Sequence, residues 1–223
     1  MSVKLVVFDI DGTILQTYSW QYIHEKLDTW SQAQEYYHQF FQNRITYEKW
    51  AKLDAALWKG QPLTRIQQII NQMPYTPGAK ETLTALKQKN IKTYLLSAGL
   101  TQVAQKIQKE TNADGYTANT LIVKDNVLTG KVQVNVSFTN KDKHLASILQ
   151  QFQLTPQQTA AVGDDPTLIP LFKKVHLAIA FNPTDKNVEK HAHITIKSNN
   201  LRNVLPYILK LDGSKNKNHR TPS

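Results

Sequence analysis

A short apolar run near the N-terminus ends directly on two carboxylates, and this junction constrains the fold more than any other feature of the chain. Val3 to Phe8 is rich in β-branched residues, which is typical of a strand buried on both faces of a parallel sheet. Asp9-Ile10-Asp11-Gly12-Thr13 follows at once. Ligands of open parallel sheets bind beyond the carboxyl ends of the strands. We therefore expect these carboxylates to lie in a ligand-binding crevice.

Strand and helix patterns alternate along the second half of the chain. Helices are predicted over 79–89, 100–110, 143–152, 168–173 and 201–210, strands over 92–96, 159–162 and 176–180, and a β-hairpin over 121–136 with its turn at Asp125-Asn126. This alternation predicts an α/β fold, with a doubly wound, Rossmann-like parallel sheet and the hairpin as a flap.

The stretch from Tyr18 to Met73 has a different character. It is rich in Gln, Trp and Tyr, and apolar residues recur at helical spacing, as at Trp50, Leu53, Ala56 and Leu57. We interpret it as a small helical cap inserted after the first strand. The predicted domains are a core of residues 1–15 and 76–211, a cap of residues 16–75, and a disordered basic tail of residues 212–223.

Charge and composition narrow the classes of partner. The chain has 27 Lys and Arg against 17 Asp and Glu, a net charge of +10, but no run of five or six basic residues. Such diffuse charge favours attraction to an anionic small molecule over nucleic-acid binding. There is no cysteine, which excludes disulfides and thiolate metal sites, and the apolar N-terminal run is too short for a signal or membrane segment. We expect a cytoplasmic monomer or homodimer without membrane or nucleic-acid partners.

Four polar sites fall near the ends of predicted strands. They are residues 9–13, Ser97-Ala98-Gly99, Lys141 and Gly163-Asp164-Asp165. Phosphoryl transfer needs a nucleophile, a divalent cation, groups that hold the phosphate oxygens, and an acid/base for the leaving oxygen. The four sites contain residue types for each of these roles. Two neighbouring carboxylates also suit a hard cation such as Mg²⁺.

Each site taken alone has an ordinary structural interpretation. The first is compatible with a strand-to-loop turn, Ser97 with a helix N-cap, and Lys141 with a solvated surface residue. Asp164 and Asp165 are compatible with an Asx turn that leads into a helix begun by Pro166. The order of the four sites along the chain argues against four coincidences.

In that order, DIDGT, LLSAG, Lys141 and AVGDD resemble the four motifs of the haloacid-dehalogenase superfamily, in its phosphoserine-phosphatase-like branch. The resemblance implies a Mg²⁺-dependent phosphatase acting on a small phosphorylated substrate. The roles it implies are these: nucleophile, Asp9; general acid/base, Asp11; charge-neutralising residue, Lys141; phosphate-binding residues, Gly12, Thr13, Ser97, Ala98, Gly99 and Lys141; metal ligands, Asp9, Asp11, Asp164 and Asp165.

The chain departs from that branch in two places. Its last motif has Thr167 and Leu168 where the branch has Asn and a second acid, so Asp165 is the candidate to replace that acid. In the cap, Tyr18 aligns with the Glu, and Asp54 lies near the position of the Arg, that hold the substrate's amino and carboxylate groups. Both charged partners of phosphoserine are then missing, and we expect another substrate.

The cap aromatics leave two interpretations open. Trp20, Trp50 and Trp58, with Tyr18, form either a wall for a ring-bearing or sugar substrate or a small aromatic core of the cap. The candidate substrate residues of the cap are Tyr18, Trp20, Trp50 and Asp54.

Three functions are compatible with the motifs. The leading expectation is a two-step phosphomonoester phosphatase with an aspartyl-phosphate intermediate. The alternatives are a phosphotransferase or mutase of the same superfamily, and a catalytically impaired member that binds or regulates. A dehalogenase is disfavoured, because that branch lacks the acid/base Asp11 and the Mg²⁺ site.

Overall fold

The structure is a computed structural model that describes residues 2–210. Seven strands form one sheet in the order β4-β3-β2-β1-β5-β6-β7. Their bounds are β1 Leu5–Phe8, β2 Lys92–Leu100, β3 Gly115–Lys124, β4 Val127–Gln133, β5 Thr159–Gly163, β6 Leu177–Phe181 and β7 Ile194–Ile196. All neighbouring pairs are parallel except the antiparallel hairpin β3–β4. The α/β class predicted from the sequence is confirmed.

The first strand explains why the sheet is covered on both faces. All four residues of β1 are buried, and they alternate between two separate hydrophobic clusters. Val6 and Phe8 pack into one cluster, and Leu5 and Val7 into the other. Because successive side chains of a strand point to opposite faces, an uninterrupted apolar run requires helices on both sides. Those helices are α5 Ala79–Gln88, α6 Thr101–Thr111, α7 Lys141–Phe152, α8 Ile169–Phe172, α9 Lys186–His191 and α10 Leu205–Lys210.

The insertion after β1 is helical, as predicted. It contains α1 Ser19–Lys26, α2 Trp30–Phe41, α3 Tyr47–Leu57 and α4 Leu63–Asn71. The loop that joins α3 to α4 pairs with the hairpin: Gly60 N–H donates to Leu128 O, and Leu63 N–H donates to Asn126 O. The hairpin therefore supports the cap. The division into domains stays a prediction, and its tail of residues 212–223, like residues 1 and 211 of its core, lies outside the described residues.

Several predicted boundaries were wrong. Strand β2 runs on to Leu100 instead of ending at Leu96, because Ser97, Ala98 and Gly99 keep an extended backbone. Strand β3 begins at Gly115, before the predicted hairpin, and α9 and β7 were not predicted. The hairpin turn at Asp125-Asn126 is confirmed; both residues have positive φ, 51° and 60°, as a tight turn of this kind requires. In the described part of the chain, no helix combines the length and the apolar character needed to cross a membrane.

Candidate active site

The end of β1 places Asp9 against Lys141. Their side chains form a buried ion pair, with Lys141 Nζ 2.5 Å from Asp9 Oδ2. The other oxygen, Oδ1, accepts the Ile10 N–H at 2.8 Å. Burial, opposed by Lys141, raises the pKa of Asp9 to about 6. Burial alone would lower the pKa of Lys141, but the carboxylates of Asp9 and Asp165 outweigh it and the net shift is upward. Lys141 is therefore a fixed cation rather than a solvated surface residue.

Asp11 lies beside this pair with one oxygen held and one free. Ser19 Oγ donates to its Oδ2 at 2.8 Å. Its Oδ1 is buried and has no hydrogen-bond partner among residues 2–210. Burial raises the pKa of Asp11 to about 7, while the Ser19 hydrogen bond opposes the rise and the charge of Asp9 adds to it. A carboxyl group with such a pKa can both donate and accept a proton near neutral pH.

The end of β2 brings Ser97 and Gly99 to the same crevice. Ser97 Oγ accepts the Gly99 N–H at 2.9 Å. A Cβ atom on Gly99 would lie 2.7 Å from Asp11 Oδ2 and 2.7 Å from Ser19 Oγ. A side chain at position 99 would thus displace the acid/base candidate, which explains the glycine.

The carbonyl oxygen of Ala98 joins the cap to the sheet. It accepts hydrogen bonds from Trp20 Nε1 at 3.2 Å, Tyr47 Oη at 2.7 Å and Asn119 Nδ2 at 2.8 Å. Trp20 and Tyr47 belong to cap helices, whereas Asn119 belongs to β3. The cap is therefore tied to the end of β2 that carries Ser97 and Gly99.

Asp164, at the end of β5, lies beside Asp9. Strands β1 and β5 pair with Phe8 opposite Val162, so Asp9 follows opposite Gly163, and Asp164 is one residue further on, where the charges of Asp9 and Asp164 act on each other. Asp164 is buried, and its oxygens accept hydrogen bonds from Thr13 Oγ1 at 2.9 Å and Tyr18 Oη at 3.3 Å. Burial and the nearby charges of Asp9 and Asp165 raise its pKa well above the usual value.

Gly12 gives Asp164 its space. Its φ is +73°, and a Cβ atom at this position would lie 2.3 Å from Asp164 Oδ2. The first motif therefore turns at Gly12 so that the acidic group of the last motif can approach its backbone. The Thr13 hydroxyl donates its hydrogen bond to Asp164. Phosphate binding by Thr13 and by Gly12 therefore stays a prediction.

Asp165 forms the Asx turn that the sequence analysis gave as the structural alternative to metal binding. Its Oδ1 accepts the Thr167 N–H and hydroxyl, and Pro166 begins the short 3₁₀ turn that follows. Leu168, in place of the branch's second acid, is fully buried and packs over Gly163. Asp165 also lines the cavity described below, and its role as a metal ligand stays a prediction.

The carboxylates suit a hard cation in their chemistry, although the side chains are not arranged around one. Among residues 2–210, no group of three or more His, Cys, Asp or Glu side chains is placed to hold a metal ion. The oxygens that would do so are held by Lys141, Thr13 and Tyr18. The donor set nevertheless consists of oxygens only, and burial, together with the neighbouring carboxylates, raises the pKa values of Asp9 and Asp164. A divalent cation would offset that charge once these contacts rearrange.

A cavity of about 630 Å³ extends from Asp9 and Asp11 to the cap. All four candidate cap residues, Tyr18, Trp20, Trp50 and Asp54, line it, together with Ser97, Ala98, Gly99 and Lys141. Trp58 is not part of this wall. It is fully buried, stacks on Trp20 with ring centroids 5.2 Å apart, and donates to His24 Nδ1. Trp58 therefore belongs to a small aromatic core of the cap, whereas substrate binding by Tyr18, Trp20 and Trp50 stays a prediction.

Sequence reasoning missed several residues that shape the site. Ser19 orients Asp11, and Asn119 fixes Ala98 O. The backbone N–H of Thr184 donates to Asp164 O at 2.9 Å, and Asp185 caps α9 through Asn187 N–H. The Asp185 cap was recognisable, because Asn-Pro-Thr-Asp follows a strand and leads into a helix. The roles of Ser19 and Asn119 depend on contacts between distant segments.

Comparison with known proteins gives consistent results. Residues 3–176 match the family model of haloacid dehalogenase-like hydrolases. The phosphoserine phosphatase of Methanocaldococcus jannaschii is 31% identical over 206 residues, which cover 92% of this chain and 97% of that protein. The phosphoserine phosphatase of Idiomarina loihiensis is 28% identical, over 90% of this chain and 91% of that protein. A solved structure of a phospho-aspartyl intermediate analogue of phosphoserine phosphatase superimposes with a TM-score of 0.82 at 28% identity, covering 93% of this chain and all of that chain.

Proposed function

The chain belongs to the haloacid dehalogenase-like hydrolase family, and from this premise we propose that it is a Mg²⁺-dependent phosphatase in which Asp9 is the nucleophile. The family membership makes it a phosphoric monoester hydrolase with aspartyl-phosphate chemistry. The proposal adds the residues, the metal and the substrate class. The observation that carries it is the buried Asp9–Lys141 pair beside Asp11, a carboxyl group with a raised pKa and one oxygen unpartnered among residues 2–210.

Asp9, Asp164 and Asp165, with the backbone carbonyl of Asp11, are the groups that would hold Mg²⁺. When bound, the cation offsets the charge of the phosphate and of the surrounding carboxylates. Tyr18 would have to release Asp164 Oδ2 for this to happen, since its hydroxyl now contacts that oxygen.

In the first step, a carboxylate oxygen of Asp9 attacks phosphorus. A bond forms between that oxygen and phosphorus, and the bond from phosphorus to the ester oxygen breaks. Asp11 gives its proton to the departing oxygen, so the product leaves as an alcohol. Lys141 offsets the charge of Asp9 and the phosphate, and Ser97 and Gly99 hold the phosphate oxygens.

In the second step, Asp11 is a carboxylate and takes a proton from a water molecule. The resulting hydroxide attacks phosphorus, and the bond between phosphorus and Asp9 breaks. Inorganic phosphate leaves, Asp9 is a carboxylate again, and Asp11 is protonated for the next cycle. A pKa of about 7 for Asp11 suits both tasks.

The substrate is a small phosphorylated metabolite other than phosphoserine. Lys141 is the one Lys or Arg side chain among the described residues that line the cavity, and it is paired with Asp9. The carboxylate of phosphoserine would therefore be buried without a cation. Leaving a charged group buried and unpaired is unfavourable.

The test is hydrolysis of p-nitrophenyl phosphate with and without Mg²⁺, followed by a screen of phosphorylated metabolites. Asp9→Asn is expected to abolish turnover while the far-UV spectrum and melting behaviour stay native. Asp125→Asn is the matched control, because Asp125 is exposed in the hairpin turn at a positive φ that Asn adopts readily. Substantial activity in Asp9→Asn would rule out the proposed mechanism.

A further inference from the structure

The cap side of the cavity is walled by aromatic rings. Among the residues that line it are Trp20, Trp30, Tyr37, Phe41, Tyr47 and Trp50, all from α1 to α3. We call these six residues the aromatic wall. Aromatic faces carry negative charge density and bind both apolar groups and organic cations. The wall alone does not decide between the two.

Asp54 places a carboxylate in the same wall. It lies on α3, is 3% exposed and lines the cavity. Its Oδ2 is 3.5 Å from His24 Nε2, and its Oδ1 is buried without a hydrogen-bond partner in the described part of the chain. Trp50 Nε1 and His24 Nε2 make no hydrogen bond within the described part of the chain either, but both are N–H donors, so the acceptor left for a cationic ligand is Asp54 Oδ1. A buried acceptor left unpaired inside a cavity indicates a ligand that pairs it.

His24 does not neutralise Asp54. The indole N–H of Trp58 can only donate, and it points at His24 Nδ1 from 3.1 Å. Nδ1 must therefore hold a lone pair, so the ring carries its single proton on Nε2 and is uncharged. The 3.5 Å approach of His24 Nε2 to Asp54 Oδ2 therefore involves an uncharged ring and is not an ion pair.

The charged side chains of the cavity are distributed unevenly between the core and the cap. Five Asp side chains line the cavity, Asp9, Asp11, Asp54, Asp165 and Asp185, against Lys141 as the one Lys or Arg among the described lining residues. Lys141 is already used by Asp9. The other four Asp residues belong to the core, where Mg²⁺ would offset the negative charge, whereas Asp54 is the one Asp, Glu, Lys or Arg side chain among the described lining residues of the cap. Burial raises the pKa of Asp54, and the neighbouring His24 and Trp50 only partly oppose the rise.

We propose that the leaving group of the substrate carries a positively charged nitrogen, which Asp54 and the aromatic wall bind. The substrate class is a phosphomonoester of an ammonium alcohol, with alkyl groups on or beside the nitrogen that contact the rings. This inference rests on the proposed function and specifies its substrate. A bound cation compensates the charge of Asp54, whereas a neutral leaving group leaves that carboxylate unpaired.

The experiment compares esters that differ only in charge. Phosphocholine and 3,3-dimethylbutyl phosphate have nearly the same shape, but the second has carbon in place of the charged nitrogen. A charge-assisted contact and a desolvated cation–π contact together favour the cation by roughly tenfold or more in kcat/KM. A second pair, phosphoethanolamine and phosphoserine, differs by the carboxylate alone, and the ester without it is expected to be the better substrate.

Asp54→Asn tests the residue. The readout is the ratio of kcat/KM for phosphocholine over its neutral analogue within each variant, which cancels effects on chemistry or on the fraction of folded protein. The ratio is expected to fall towards one in Asp54→Asn. Glu48→Gln is the matched control, because it removes one exposed carboxylate from the same helix and should leave the ratio unchanged. In the wild-type protein, choline should inhibit p-nitrophenyl phosphate hydrolysis more strongly than 3,3-dimethylbutanol does.

The outcomes separate this inference from the proposed function. If p-nitrophenyl phosphate is hydrolysed but the wild-type ratio is one or less, or if Asp54→Asn leaves a high ratio unchanged, the inference is overturned and the phosphatase stands. If no phosphomonoester is hydrolysed in the presence of Mg²⁺, the proposed function fails and the inference fails with it.

Discussion

The hydroxyl of Ser19 donates a hydrogen bond to Asp11 Oδ2 over 2.8 Å, and this bond determines which oxygen of Asp11 is available. The remaining oxygen, Oδ1, is buried beside the cavity without a partner among residues 2–210. Ser19 is the first residue of α1, so the cap begins by orienting the acid/base candidate of the core. Cap position and proton transfer are thereby linked through one side chain.

Ser19→Ala is expected to raise the pKa of Asp11, because the lost hydrogen bond stabilised the carboxylate form. Leaving-group protonation needs Asp11 protonated, so the alkaline limb of kcat/KM should move to higher pH. A hydrogen bond of about 1 kcal/mol corresponds to a shift of somewhat less than one pH unit. The profile should be measured with an alkyl phosphate, whose leaving group requires an acid.

The control is Ser147→Ala, which removes an exposed hydroxyl that bonds only to the backbone of its own helix. Its alkaline limb should coincide with that of the wild type. If the alkaline limb of Ser19→Ala lies at the same pH as in the wild type or at a lower pH, Ser19 does not lower the pKa of Asp11.

Removal of Mg²⁺ should make stability depend on pH in a defined direction. The pKa of Asp9 rises from 3.8 to about 6, and that of Asp11 to about 7. A carboxyl group whose pKa is higher in the folded than in the unfolded protein contributes fully to the free energy of unfolding when the pH is below its unfolded-state pKa. That contribution is lost as the pH rises through its folded-state pKa. When a chelator removes Mg²⁺, the contribution of Asp9 and Asp11 to the free energy of unfolding should therefore decline between about pH 4 and pH 7.

The measurement is the gain in melting temperature on adding Mg²⁺, compared at about pH 5 and about pH 8. The gain should be larger at the higher pH, where the carboxylates are ionised and repel one another. Using the gain cancels the acid sensitivity of the rest of the molecule. Asp164→Asn should reduce the gain at the higher pH. An equal gain at both values would contradict a metal held by these carboxylates.

Much of the fold could be predicted because the core follows local rules. The apolar run of β1, the turn at Asp125-Asn126 and the alternation of helices and strands each have a short-range cause. The path of β2 could not be predicted, because Ser97 and Gly99 are usual at strand ends and helix starts. The extended segment is fixed by distant contacts: Trp20, Tyr47 and Asn119 donate hydrogen bonds to Ala98 O, and Leu100 pairs with Asn119 of β3. Strand β7 has three residues, too few for a period to be recognised.

In the cap, the buried face of α3 could not be predicted from apolar spacing. Apolar spacing on α3 indicated a face with Trp50 and Leu53, but the buried residues are Tyr47, Ala51, Asp54 and Ala55. The helix turns a polar residue inward because Asp54 faces a cavity with His24. Hydrophobic periodicity assumes that buried positions are apolar, and this assumption fails where a helix lines a binding site.

Tyr47→Phe should loosen the cap. The Tyr47 hydroxyl donates to Ala98 O at 2.7 Å and accepts from Asn119 Nδ2 at 3.0 Å. Removing it leaves a buried donor with fewer partners, at a cost of about 1–2 kcal/mol in the free energy of unfolding. Urea unfolding measures that loss. Tyr207→Phe, at an exposed tyrosine, should change the free energy of unfolding by less than about 0.5 kcal/mol; equal losses in both variants would refute the role of the Ala98 contact.

Gly12→Ala separates backbone strain from damage to the site. Gly12 and Gly60 both have positive φ, +73° and +85°, so an alanine is strained at either position. At Gly60 the added Cβ meets nothing within 4 Å, whereas at Gly12 it lies 2.3 Å from Asp164 Oδ2. Gly60→Ala should therefore lose about 1 kcal/mol of stability and keep its activity.

Gly12→Ala should displace the Asp164 carboxylate as well. We expect kcat/KM for p-nitrophenyl phosphate to fall by roughly 100-fold or more, since misplacement of a catalytic group by about 1 Å costs on that order. Mg²⁺ titration of activity should show a raised half-saturation concentration in Gly12→Ala alone. If both variants lost activity equally, strain and not the approach of Asp164 would explain the glycine.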